Sequence, residues 1–178
     1  MRWWSLFGAL VLFVILFNGR GVAMRIWSPE IPDEGKIPKK YVMPAAGGEN
    51  LSPPLRWEGV PKEARSLVLI CVDTHPVARN WMHWVVINIP PTVTELPEGA
   101  SGKGLPAGAR ELVNSYGFTG YGGPQPPPGT GPHPYHFILY ALDVERVNLP
   151  ERPSFAEVER YLAGHILEKA SFVGYYER

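Results

Sequence analysis

The chain has 178 residues, enough for one domain with a sizeable core, and its 45% apolar and 12% aromatic content excludes a disordered protein. Seventeen basic side chains balance seventeen acidic ones and no Lys/Arg run exceeds two residues, which argues against a nucleic-acid groove. The single cysteine, Cys71, allows no internal disulfide and no thiolate zinc site, so it reads as a small buried apolar residue in a strand.

In chain order, residues 1–23 differ in kind from the rest. Arg2 is the only charge before the apolar run Leu6 to Phe17. That run is shorter than the roughly 20 residues of a membrane span. It suits the h-region of a secretory signal, with Gly21 and Ala23 as small residues at the cleavage positions. The expectation is export to the periplasm or beyond, with an uncleaved anchor as a variant of it. A rival reading starts translation at Met24 and leaves the protein cytoplasmic. Residues 24–178 read as one domain without internal repeats.

Ser66 to Asp73, Met82 to Ile89 and Tyr135 to Asp143 read as strands, being rich in β-branched and aromatic residues and bounded by Pro, Asn or Asp. Their near-continuous apolarity predicts a cover on both faces, as at the centre of a sandwich. Thr92 to Pro132 reads as mostly loop, rich in glycine and proline, and a loop this long in a compact domain usually has a function. Ser154 with Glu157 is a capping-box pattern. Phe155, Val158, Leu162 and Ile166 follow at helical spacing, predicting mainly helix from Ser154 to about Lys169, with a break near Gly164 and His165. Phe172 to Tyr176 reads as a short extended tail. With twenty prolines and nineteen glycines, the class is mainly β: an antiparallel sandwich with one or two C-terminal helices.

Two segments stand out. One is Asp73-Thr74-His75-Pro76-Val77-Ala78-Arg79-Asn80-Trp81-Met82-His83-Trp84; the other runs from Tyr121 to Tyr135 through Gly122, Gly123 and a Gly/Pro loop that ends at His133. Each sets a histidine beside aromatics at the edge of an apolar strand. Strand alternation puts Trp81, His83, Val85 and Ile87 on one side, and Met82, Trp84, Val86 and Asn88 on the other. It gathers His133, Tyr135, Phe137 and Leu139, and likewise Leu69, Cys71 and Asp73. His136 points away from His133, so the pair does not read as a zinc site. Two imidazoles, a carboxylate and a loop with backbone N–H groups would make a small-anion pocket in an apolar wall. Each residue also has a plainer reading: the histidines and tryptophans as core, Asp73 as a turn residue, and His75, His136 and His165 as structural or surface.

These segments resemble the two signature regions of the phosphatidylethanolamine-binding proteins, or Raf kinase inhibitor protein family, in its prokaryotic YbhB/YbcL-like branch. Glu49-Asn50-Leu51-Ser52-Pro53-Pro54-Leu55-Arg56-Trp57, Tyr135 to Asp143, and Gly164 to Tyr176 fit the same pattern in family order. One stretch departs: the family usually reads Asp-Pro-Asp-Ala-Pro where this chain has Asp73-Thr74-His75-Pro76-Val77, with about one more residue before the histidine. His75 has no family role. The resemblance implies a central antiparallel sheet with Greek-key connections and a C-terminal helix near the pocket. It implies that Asp73, Trp81, His83, Gly123, Pro127, His133 and Tyr135 line that pocket. The imidazoles and loop N–H groups would bind phosphate, Trp81 and Tyr135 would wall it, and Asp73 would orient a histidine.

The expected function is that of a non-enzymatic binding protein without cofactor. Its ligand would be a phosphate-type anion or phospholipid headgroup, and its protein partner a kinase or protease. Two other readings stay open: a small hydrolase with His83 or His133 as general base, and an inhibitor acting through its loops alone. No Gly-x-Ser-x-Gly elbow or phosphate-binding Gly-Lys loop supports the hydrolase. The sequence does not give the oligomeric state.

Overall fold

A computed structural model describes residues 22–178, so the reading of the N-terminal segment as signal, anchor or mis-assigned start lies outside the described residues apart from Val22 and Ala23. The strands in chain order are β1 (Arg25–Trp27), β2 (Gly35–Lys36), β3 (Leu55–Glu58), β4 (Ser66–Asp73), β5 (Trp81–Ile89), β6 (Glu95–Leu96), β7 (Arg110–Glu111), β8 (His133–Leu142) and β9 (Ile166–Tyr176). One helix, α1 (Phe155–Leu162), lies between β8 and β9.

The strands form two sheets. β1, β3 and β6 make a small one; the large one has the order β2-β9-β8-β4-β5-β7. All pairs in it are antiparallel except β2 with β9. β4 and β5 are joined directly, whereas β8 returns after the long Gly/Pro-rich connection to pair with the other edge of β4. Only two two-residue strands interrupt residues 92–132, so that stretch is mostly loop as expected.

Both faces of the large sheet are covered, which explains why all eight residues of β4 are buried. One face packs on the small sheet through Leu69, Cys71, Trp84, Tyr135, Phe137, Trp57 and Tyr41. The other carries Val68, Ile70, Val85, Ile87 and Tyr140 under Val158 and Leu162 of α1. Cys71 is buried in the first cluster, and no sulfur partner is available to it in this chain.

The predicted helix is half right. Its start is as expected: Ser154 Oγ accepts from the Glu157 N–H, and the Glu157 carboxylate accepts from the Ser154 N–H at 2.9 Å. It ends at Leu162, because Ala163 leaves helical geometry and Gly164 takes a φ of 86°. From Ile166 the chain is an eleven-residue strand that pairs along β8. Ile166 does pack beside Phe155, Val158 and Leu162, but from a strand. The spacing identified the right apolar face on the wrong backbone, since a strand partner takes up the N–H and C=O groups of residues 166–176. The structure therefore has one C-terminal helix, and no residue of it lines the central cavity. Ser154→Ala is expected to lower stability by about 1 kcal/mol. Urea unfolding measures this, and an unchanged midpoint would contradict the capping role.

Candidate functional site

The register of three strands brings the site together. Asp73 closes β4 and sits opposite Trp81 of β5 on one side and Tyr135 of β8 on the other. His83 and His133 lie two residues from those partners along β5 and β8. A cavity of about 340 Å³ opens at this end of the sheet. Asp73, Trp81, His83, Pro127, His133 and Tyr135 line it, together with Val77, Ala78, Tyr116, Gln125 and Pro126. Six of the seven residues expected at the pocket are thus in one place.

Gly123 is the exception. Its N–H donates to Asn50 Oδ1 at 2.7 Å and its carbonyl accepts from the Tyr116 hydroxyl at 3.0 Å. It packs against the backbone of Tyr41 and Val42 and does not line the cavity. Two further loop N–H groups are committed: Gly122 donates to the His83 carbonyl at 2.8 Å and Gly129 to the Arg178 carbonyl at 3.1 Å. Five prolines between positions 124 and 132 bring no N–H at all. The loop serves as a wall, clamped by Arg178 Nε on the Pro126 carbonyl at 2.7 Å.

His83 reaches the cavity through a β-bulge. Cys71 faces Trp84, but Val72 faces Met82, so His83 is an extra residue on β5. The bulge turns His83 and Trp84 to the same side of the sheet and leaves Met82 with Val85 and Ile87 on the other. Strict alternation had grouped His83 with Val85 and Ile87 and set Trp84 with Met82; the bulge overturns both groupings. No glycine or other turn residue beside His83 in β5 marks it. On β8, by contrast, alternation holds, and His133, Tyr135, Phe137 and Leu139 share a side.

The two imidazoles differ in their bonding. His83 is buried and its Nδ1 gives a hydrogen to the Gly122 carbonyl at 2.6 Å. Burial pulls the ring down to about 4, against the opposing pull of that carbonyl and of Asp73. At neutral pH the ring is therefore uncharged, with its lone pair on Nε2, because burial outweighs the Asp73 charge. His133 is the histidine that Asp73 holds: Nδ1 lies 2.6 Å from Asp73 Oδ2, with both side chains buried. Its Nε2 lies 2.9 Å from Thr130 Oγ1, and that hydroxyl donates to the Pro127 carbonyl at 2.8 Å. With the hydroxyl proton on Pro127, Thr130 Oγ1 accepts from Nε2.

The aromatic walls are set edge to face. Tyr135 meets His83 at 5.0 Å, and Tyr116 meets Trp81 at 5.4 Å. Trp81 is 38% exposed, a rim residue and not the core residue of the plainer reading. Burial, with the Asp73 charge behind it, pushes the phenols of Tyr135 and Tyr116 well above the usual range, so both carry their protons. The Tyr135 hydroxyl is, among the described residues, the one buried side-chain polar atom with no hydrogen-bond partner.

Sequence reasoning missed Val77, Ala78, Tyr116, Gln125, Pro126 and Thr130. All lie in the two singled-out segments or the long loop, which was the available signal. It also passed over His75, whose ring stacks on His133 with centroids 3.9 Å apart. His165 is a surface residue as expected, paired with Asp143 at 2.9 Å.

The depressed His83 has a measurable consequence. Above pH 6.5 the ring is neutral in folded and unfolded chains alike. Below it, the unfolded chain takes a proton that the folded chain refuses until about pH 4, so stability falls over that window. The full effect is about 3 kcal/mol. His83→Asn keeps a donor for the Gly122 carbonyl and cannot titrate. Denaturant unfolding from pH 7 to pH 4 should show a smaller acid loss in the variant; equal losses would refute the buried neutral ring.

Comparison with known proteins agrees with this architecture. The phosphatidylethanolamine-binding protein family model matches residues 27–177. A UPF0098 protein of Methanothermobacter thermautotrophicus is 45% identical over 147 residues, covering 82% of this chain and 93% of its own. Escherichia coli YbhB is 38% identical over 154 residues, covering 83% and 96%. The crystal structure of Escherichia coli YbcL, described as a new member of the mammalian family, superposes with a TM-score of 0.81 at 34% identity, over 88% of this chain and 99% of that one. The chain belongs to the phosphatidylethanolamine-binding protein family, in its YbhB/YbcL-like branch.

Proposed function

We propose that the pocket binds a phosphate-type anion, free or as a phosphorylated headgroup. Family membership makes the chain a binding protein; the anion is our reading of the site. The observation that carries it is the Tyr135 hydroxyl, a buried donor without a partner on a residue that lines the cavity together with His83 and the Asp73–His133 pair. A bound oxygen would satisfy that donor, and a buried donor left unmade costs about 1–3 kcal/mol.

The ionic requirement follows from His83. Its Nε2 lone pair repels a fully deprotonated phosphate oxygen. Binding therefore needs one proton between them, on the ring or on the ligand. The ring alone takes it near pH 4, and a phosphate monoester holds its second proton to about pH 6. Whichever partner holds the proton, affinity falls as pH rises above about 6.

The hydrolase reading gains less support. His133 does meet a hydroxyl, but Thr130 donates its proton to Pro127 and does not line the cavity. A protein partner of the kinase or protease class is part of the same reading. Exposed Val77, Trp81 and Phe118 around the mouth are the surface that such a partner would meet.

Calorimetric titration with inorganic phosphate and with phosphorylethanolamine, at pH 5.5 and 8, tests the reading. His83→Asn should weaken binding roughly 10- to 150-fold, the loss of one charge-assisted hydrogen bond, and His133→Ala should weaken it too, by removing the ring that Asp73 holds in the cavity wall. His165→Ala should not. Binding that strengthens with pH, or that survives both pocket substitutions in folded protein, would remove the proposal.

A further inference from the structure

We propose that His75 is a positioning residue of the pocket: its ring, stacked face to face on His133, fixes the plane in which that buried imidazole meets its partners. The proposal rests on the pocket reading above and extends it to a residue outside the cavity lining.

The Asp73 carboxylate links the two histidines. One oxygen, Oδ2, faces His133 Nδ1 at 2.6 Å; the other, Oδ1, accepts the His75 backbone N–H at 2.8 Å. Asp73 thus makes the turn that was its plainer reading and holds a histidine as well. The turn continues with Ala78 and Arg79 donating to the His75 carbonyl at 2.8 and 3.1 Å. Arg79 and Asn80 then take positive φ values of 53° and 60°, which turn the chain back into β5. The loop is wrapped around His75, and its Val77 and Ala78 form one wall of the cavity.

The stack has a specific mechanical effect. Hydrogen bonds at Nδ1 and Nε2 hold two points of the His133 ring, and the ring can still rock about the line through them. A second ring at 3.9 Å and 17° blocks that motion. His75 is held in turn, since its Nδ1 accepts the Val77 N–H at 3.3 Å. That bond uses the lone pair of Nδ1 and fixes the ring's orientation over His133. The charged or titratable groups around the pair include the Asp73 carboxylate, His83 across the cavity on β5, the Tyr135 and Tyr116 phenols, Tyr176 opposite His133 on β9, Arg178 on the Pro126 carbonyl, and Arg79 on the same loop.

Two variants separate the ring from the loop. His75→Phe keeps a flat ring that cannot titrate, and His75→Ala removes it. At pH 7, His75→Ala should bind inorganic phosphate roughly 2- to 12-fold more weakly, the contribution of an aromatic pair, and His75→Phe should restore wild-type affinity. Alanine binding as tightly as wild type, or phenylalanine as weakly as alanine, overturns the proposal. The second readout needs no ligand. In proton NMR at fixed pH, the His133 ring hydrogens of the wild type should be shifted upfield by the stacked ring, and in His75→Ala that shift should disappear. An unchanged His133 ring signal in His75→Ala refutes the stack. If the wild type binds no phosphate, the pocket reading fails, and the ring signals still decide the role of His75.

Discussion

Asp73→Ala is expected to unfold at a temperature roughly 6–12 °C below the wild type, from a loss of about 3 kcal/mol. Asp73 is 2% exposed, and both of its oxygens are occupied, by His133 Nδ1 and the His75 N–H. Alanine leaves two buried donors without an acceptor and frees the start of the 75–80 loop. Asp73→Asn divides the effect. Its carbonyl can keep the His75 N–H, while its amide faces Nδ1 and forces the proton of His133 onto Nε2. Asparagine should recover a good part of the stability and little of the phosphate affinity. Thermal unfolding and phosphate titration of both variants check this. An alanine variant as stable as wild type would mean that the pair contributes nothing to the fold.

The second large effect is at Gly123. A Cβ there would lie 2.2 Å from the Tyr41 carbonyl oxygen and 2.8 Å from Val42 Cα, both backbone atoms. Neither can step aside as a side chain would. The Tyr41 carbonyl also accepts from the Tyr121 hydroxyl at 2.9 Å, and Met43 N–H donates to the Pro124 carbonyl at 3.1 Å. Gly123→Ala should therefore cost about 3 kcal/mol and move the loop that carries Pro126 and Pro127 into the cavity wall. Gly129→Ala is the comparison. Its position has φ 78° and open space around it, so only the backbone preference opposes alanine, at about 1 kcal/mol. Equal melting temperatures for the two variants would show that the close approach at Gly123 is not what sets its identity.

The central strands were legible in advance because their signal is local. Ser66 to Asp73 is seven apolar or small residues followed by a charge, and it forms β4 with those bounds. The Ser154 capping box was legible for the same reason, as its two partners are three residues apart. Six pocket residues could be gathered from alternation and the family pattern. The strand after Gly164 could not. Its apolar residues continue the helical spacing, and only β8, far back in the chain, offers the hydrogen bonds that make residues 166–176 extended.

The sequence by itself determined the class, the three central strands, and the two segments that carry the pocket residues, because strand propensity and alternation reside in short stretches. Tertiary structure decided what each polar group does there. The bulge at His83 depends on how β5 is matched against β4, and the low proton affinity of that ring depends on the burial it then suffers. The partner of Asp73, the contact of His75 with His133, and the place of Gly123 behind the wall each depend on residues far apart in the chain. Spacing along a sequence does not encode these contacts, because their energies arise only when separate strands and loops are packed together.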